Sequence, residues 1–459
     1  MSASSSIAGR VTRVVLGGLL LASLALAAHA LRMQSADPAW SDKLLTWGGV
    51  ASVAFAVMLV LPTNLRINLT LSLVMAGLCA FVFNLYLAYT PPPVVRKAEA
   101  ILDKRKSTPG FDLRSPLDVV RDLRKDGVQA VPALFGINAV DDPKRPDGLL
   151  PLIGISTATT VLCNEVGEFA IFTADEHGHR NPVIPERADV VLVGDSFMQG
   201  QCVGPGKDIA GLLRARGFTV YNLGSSGNGP VLNLAALLEY GLAKKPKVVL
   251  WGYAGNDPGD LRHELLNPRL RQYLEDPDTL QNLVDRQDEI DTYWRANLDR
   301  QNYLEPKPKK ETKWEPRAPT FTELVTLYQL RRLLGLRRAK QGAWKDSFRR
   351  ALTLARERVR AGGGEMYFVP FPYFEYVTSK PDTPRAIFEI VAPTGVPTVD
   401  LDRPFLDHAD PESLFPLRMP GHFSEAGYAF VAERLAASAL KGITPSGATE
   451  GVPTGDNLP

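Results

Sequence analysis

The residues able to do chemistry in this chain fall into four short groups. Gly194-Asp195-Ser196 follows the apolar run Val190 to Val193, and Asn222-Leu-Gly-Ser-Ser-Gly-Asn228 follows a second stretch of β-formers. Gly255-Asn256-Asp257 comes after a third such stretch, and Gly421-His422-Phe423-Ser424 precedes a helical pattern near the C-terminus. A serine on a sharp turn at the carboxyl end of a buried strand is exposed where open α/β sheets place their ligands. A nucleophilic hydroxyl has to stand in such a place. The order of the groups predicts that all four meet at that one edge of a doubly wound sheet.

The elements that would position them are legible from about Ala188 onward. Strands are expected at Asp189–Val193, Thr219–Leu223, Val248–Tyr253, Glu365–Val369 and Thr398–Leu401. Helices are expected at Asp208–Arg216, Val231–Lys244, Lys345–Ala361, Arg385–Ile390 and Ser424–Leu440. Short buried strands alternating with helices predict a parallel sheet covered on both faces. Leu149 to Thr173, rich in β-formers, reads as an antiparallel pair leading into it. The charged stretch of about 260–340, interrupted by Pro306, Pro308 and Pro316, reads as a helical insertion. After Gly442 the Gly-, Pro-, Thr- and Ser-rich tail reads as disordered.

The N-terminal part is of another kind. Leu44 to Leu61 and Ile67 to Thr90 carry no charge, and each is long enough to cross a bilayer. Val14 to Leu31 is a third uncharged run, readable as a retained helix or, with Ala28-His29-Ala30 as a cleavage site, as a removed signal peptide. Arg10 and Arg13, with Arg66 on the short Pro62–Arg66 loop, favour the cytoplasmic side for these positions. Everything after Thr90 is then outside the cytoplasm. The expected organisation is a transmembrane region over 1–90, a stalk over 91–150, the α/β domain over 151–442 and the tail over 443–459. A net charge of +2 over 459 residues makes no case for nucleic acid as a partner.

Of the three cysteines, Cys79 lies in an apolar segment, while Cys163 and Cys202 lie in the exported part. An oxidising compartment permits a disulfide between the latter two. Two unrelated buried thiols would read the same, because sequence does not supply the Cα distance. His177 and His179 invite a metal reading, but without further ligands at suitable spacing a solvated loop is the better account.

The four groups, in this order and spacing, resemble the SGNH (GDSL-type) hydrolase superfamily over about residues 188–442. The stretch Pro151–Asn181 and the Leu414–Gly421 approach to the histidine are similar to membrane-anchored bacterial members of it. The resemblance implies a flavodoxin-like three-layer α/β/α fold with a parallel sheet, preceded here by N-terminal transmembrane helices. It implies Ser196 as nucleophile and His422 as the base that takes its proton and later returns it to the leaving alcohol. The oxyanion would be held by the backbone N–H of Ser196, that of Gly227 and the side-chain amide of Asn256. No metal or other cofactor is implied.

The chain departs from the family pattern in two places. The Asp that usually stands three residues before the histidine is replaced by Met419, and the Leu after the serine by Phe197. Either a dyad operates, or a backbone carbonyl fixes the ring, or a carboxylate comes from elsewhere, with Asp407, Asp410 and Glu412 the nearest upstream. The resulting expectation is a multi-pass protein of the bacterial inner membrane with a periplasmic or extracellular ester-hydrolase domain. Its substrate would be O-acyl groups of an envelope glycan, with the later rings of the cluster Tyr367, Phe368, Phe371, Tyr373, Phe374 and Tyr376 lining a sugar cleft. The alternatives are an O-acyltransferase and a non-catalytic subunit working with envelope-glycan assembly proteins.

Overall fold

The computed structural model describes residues 3–33, 38–278, 280–300, 317–334, 343–381 and 385–446. The expected tail beyond 446 and the Pro306–Pro316 part of the insertion lie outside the described residues. The chain divides into two compact units, one of residues 1–97 with 310–340 and the other of 98–309 with 341–459.

The first unit contains the apolar helices Ala3–Met33, Pro38–Val60 and Thr63–Ala88. Three helices here are long and apolar enough to cross a membrane. Ser23 and Ser52 pair their hydroxyls at 2.8 Å between the first two, and Ser52 also donates to Gly48 O. Serine hydroxyls on such helices find partners in one another and in the carbonyl a turn back. Arg66 lies in the third helix rather than on a loop, and its guanidinium donates to Leu59 O and Leu61 O. The 260–340 stretch is not one body: its described segment 317–334 belongs to this unit, where Asn84 Oδ1 accepts from Gln329 N and Leu330 N.

The second unit holds two sheets. The larger is parallel, in the order β5-β4-β6-β7, with β4 Val190–Val193, β5 Val220–Asn222, β6 Val248–Tyr253 and β7 Glu365–Pro370. Alternate residues of one strand enter different cores. Val190 and Leu192 of β4 pack with Val431 and Leu435 of the helix Glu425–Ala437. Val191 and Val193 pack with Leu234 of the helix Pro230–Ala236 and Phe348 of the helix Ala343–Ala361. Helices therefore cover both faces, giving three layers, α/β/α. Each such buried Val or Leu contributes roughly 1.5–3 kcal/mol. The fifth expected strand, Thr398–Leu401, is reduced to one bridge from Thr398 to Phe368.

The smaller sheet is β1-β2-β3, formed by Ala130–Pro132, Thr159–Val161 and Ile171–Thr173. The antiparallel pair expected in 149–173 is β2 with β3, and β1 joins it in parallel. The start of the insertion packs onto this unit: Trp294 Nε1 donates to Ile153 O at 2.7 Å.

Candidate active site

Ser196 begins the short helix Ser196–Gln199 at the end of β4. Asp195 caps that helix by accepting from Phe197 N–H at 3.1 Å. The turn is tight because Gly194 has no side chain; a Cβ there would come 2.8 Å from Met198 Cβ. Ser196 is 8% exposed. Its hydroxyl faces two acceptors, His422 Nε2 at 2.9 Å and Asp195 Oδ2 at 3.2 Å. Burial is the main reason the Asp195 carboxyl is raised above its ordinary range, against the pull of the His422 charge and the Phe197 and Ser196 hydrogen bonds.

His422 comes from the turn ahead of the helix Glu425–Ala437, whose start Ser424 caps by accepting from Gly427 N–H. The ring is held on one side by the Phe197 ring, at 4.9 Å between centroids. Phe197 in turn packs on Phe371 and Phe423. The residue that departs from the family's usual Leu thus forms a wall of the imidazole's slot.

The acid that meets the far nitrogen of His422 is Glu165. Both its oxygens lie 3.1 Å from Nδ1, and Oε2 also accepts from the backbone N–H of His422 at 2.9 Å. None of the three expected acids takes that place. Asp407 accepts from Arg403, and Asp410 pairs with Arg418. Glu412 makes no side-chain bond to His422 among the described residues; it lies in a 3₁₀ turn, Pro411–Leu414. Burial would raise the Glu165 carboxyl, but the hydrogen bonds and charge of His422, with the charge of Arg105, outweigh it and hold the carboxyl below its ordinary range. The carboxylate lies close over Gly421, where a Cβ would sit 3.0 Å from Glu165 Oε2.

Glu165 stands on the β2–β3 hairpin, 257 residues before His422, where no motif spacing points to it. A signal did exist. Cys163 and Cys202 are joined as a disulfide, with Cα atoms 4.9 Å apart. That pairing brings any acid near Cys163 close to the nucleophile's turn. Ligand atoms of Glu165, Cys202 and His422 all lie within 4.8 Å of one another, but the Cys202 sulfur is committed to the disulfide.

The other expected donors stand on the two strands that flank β4. Gly227 follows β5 in a left-handed conformation (φ +80), with Ile137 Cγ2 2.8 Å from where a Cβ would be. Asn256 follows β6 and is exposed, and its Nδ2 donates one hydrogen to Asp260 Oδ2 at 2.6 Å. That bond fixes the amide orientation and leaves the second N–H available. His179 is not in a solvated loop. It is 1% exposed against Tyr221 and Tyr240, and burial pushes it down to about 4.

Arranged this way, the site can deprotonate a hydroxyl with an imidazole whose Nδ1–H is held by a carboxylate, the requirement for nucleophilic acyl transfer.

The sequence model of the GDSL-like Lipase/Acylhydrolase family matches residues 192–430, more than half of the chain. No curated protein gives a significant match. Among solved structures, a lipase/acylhydrolase from Enterococcus faecalis is 16% identical, covering 56% of this chain and 97% of its own, with a TM-score of 0.30. An acetyl xylan esterase is 13% identical over 54% of this chain and 98% of its own, at 0.29. A catalytic mutant of an acetylxylan esterase from Geobacillus stearothermophilus is 16% identical over 55% and 94%, at 0.27.

Proposed function

Because the chain belongs to the GDSL-like lipase/acylhydrolase family, we propose that Ser196, His422 and Glu165 form the catalytic triad of a membrane-anchored serine esterase. The observation that carries this reading is the unbroken line of contacts from Glu165 through His422 to Ser196. Ser196 Oγ attacks the ester carbonyl as Nε2 takes its proton. The tetrahedral oxyanion is held by the N–H groups of Ser196 and Gly227 and the amide of Asn256. On collapse, the imidazolium returns the proton to the departing alcohol, and water then repeats the sequence on the acyl-serine. Glu165 fixes the Nδ1–H tautomer and stabilises the imidazolium, as the third member of such triads does.

The apolar helices would hold this domain at the bacterial inner membrane, on its periplasmic or extracellular side. The substrate class we assign is O-acyl groups of an envelope glycan. Tyr373, the ring of the aromatic cluster that is 40% exposed, supports this. It lies beside Gly255, its ring carbons 3.7 Å from where a Cβ there would be, next to Asn256. Phe368, Phe371 and Tyr376 of the same cluster belong to the core. Met419 in place of the usual acid favours a non-catalytic subunit, and the Glu165 carboxylate at His422 Nδ1 supports catalysis instead.

The test is turnover of an aryl acetate by the full chain in detergent. Ser196→Ala should lower kcat by about 10³-fold or more; unchanged turnover removes Ser196 from the nucleophile's role. Adding an oligosaccharide acceptor separates hydrolysis from transfer, since acylated sugar accumulating at the expense of free acid would make the protein an acyltransferase.

A further inference from the structure

The candidate triad draws its members from two sheets. Ser196 follows β4 of the parallel sheet, and His422 precedes a helix packed on that sheet. Glu165 sits in the loop between β2 and β3 of the small sheet. Hydrogen bonds that shape that loop include Gly167 N to Asn164 Oδ1 at 2.8 Å, Asn164 Nδ2 to Asp112 O at 2.9 Å, Asp112 N to Gly167 O at 2.9 Å and Ala170 N to Cys163 O at 2.8 Å. None of these reaches the parallel sheet. The covalent bond that does is Cys163–Cys202, two residues from Glu165 at one end and six from Ser196 at the other.

Its far end is firmly held. Cys202 is 2% exposed, and Gln201 N donates to Ser196 O at 3.0 Å. The buried Arg180 guanidinium ties the same loop by donating to Gly200 O and to Val203 O. The Cys202 sulfur lies within 4.8 Å of the facing atoms of both Glu165 and His422.

We infer that the Cys163–Cys202 disulfide is a positioning element of the site, holding the Glu165 carboxylate against Nδ1 and the backbone N–H of His422. The inference rests on the triad reading above. A glutamate side chain loses rotamer freedom on being fixed, and orienting groups must hold to within about 0.5 Å. Val166 beside Glu165 packs on the parallel-sheet core, a contact that leaves the loop free to shift; a covalent tie to the nucleophile's turn narrows that shift. Opening the bond by a dithiol reductant forms one S–H on each cysteine and converts the reagent to its cyclic disulfide. Two electrons and two protons pass from reagent to protein. Esterase activity therefore depends on the oxidised state.

The test is a double-mutant cycle on the full chain in detergent, read as aryl-ester kcat. Cys163→Ser with Cys202→Ser should lower kcat by about tenfold or more when Glu165 is present. In a Glu165→Ala background the same change should cost less than about twofold, because the group it positions is gone. Dithiothreitol should reproduce the loss in the folded native protein, leave the serine variant unaffected, and be reversed on reoxidation. Equal losses in the two backgrounds would assign the disulfide a general structural role and overturn the inference, as would full activity in the reduced protein. Those outcomes leave the triad standing, whereas turnover that survives Ser196→Ala removes the triad itself.

Discussion

The turn that carries Ser196 and the hairpin that carries Glu165 are built by opposite means. The first is local: a fully buried strand, a glycine admitted by close packing, and an aspartate that caps the helix two residues on. The second is assembled from afar. Its strands are three residues each, and the contacts that place Glu165 span 39 residues through the disulfide and 257 through His422. A nucleophile must meet its substrate at a defined edge of the sheet, which a strand and its turn can specify alone. An orienting acid needs only to touch the base, so any segment able to reach that point can supply it.

The largest test of this contrast removes the acid. Glu165→Ala should lower kcat by about 10²- to 10⁴-fold, while Asp407→Ala and Asp410→Ala, whose carboxylates pair with Arg403 and Arg418, should leave it unchanged within about twofold. A large loss on replacing Asp407 or Asp410, with none at Glu165, would return the acid to the segment just before the histidine.

Next in size is a change on the parallel-sheet side. Asn256→Ala should cost about 10²- to 10³-fold in kcat, roughly 3 kcal/mol, with KM little altered, as expected for a donor that acts on the transition state. A variant that raises KM at constant kcat would make Asn256 a substrate-binding residue instead.

The smallest effect compares two glutamates on stability. Glu264 accepts from the N–H groups of Gly229, Val231 and Leu232 and so caps the helix Pro230–Ala236 behind Gly227. Burial, only partly offset by those bonds, pushes its carboxyl from 4.5 up to about 7. Between those values the folded chain keeps a proton that the unfolded chain has released. Stability should therefore fall as pH rises through this window, by up to about 3 kcal/mol, and level off above it. Glu165 has the opposite sign: its carboxyl is lowered, so its contribution is present above 4.5 and lost as pH falls. Denaturant titrations between pH 4.5 and 7.5 should show the decline in the native chain and a flatter line in Glu264→Gln. An unchanged slope in that variant would assign the pH dependence to other buried acids, Asp195 and Asp257 among them.

Much of the fold was readable because its signals are short-range. The β4 and β6 runs are apolar along their length, as strands covered on both faces are, and β7 is so after Glu365. Thr398–Leu401 alternates apolar residues with polar Thr398 and Asp400 and stops at one bridge, where the Asp400 carboxylate accepts from Asp402 N–H and starts a turn. Ser196 and His422 could be named from motifs whose backbone needs are local: a turn after a strand, and a cap before a helix. His179 could not be judged the same way. Its neighbours in sequence are polar and its neighbours in space are tyrosines.

By itself the amino-acid sequence determined the membrane-length apolar helices, the alternation of strands and helices, and the strand-end placement of Ser196, Gly227 and Asn256. Each follows from periodicity or turn chemistry within a dozen residues. Only the tertiary structure decided which carboxylate serves His422, which cysteines pair, and which tyrosine remains exposed beside the site. Those are distances between segments far apart along the chain, set by how two sheets pack.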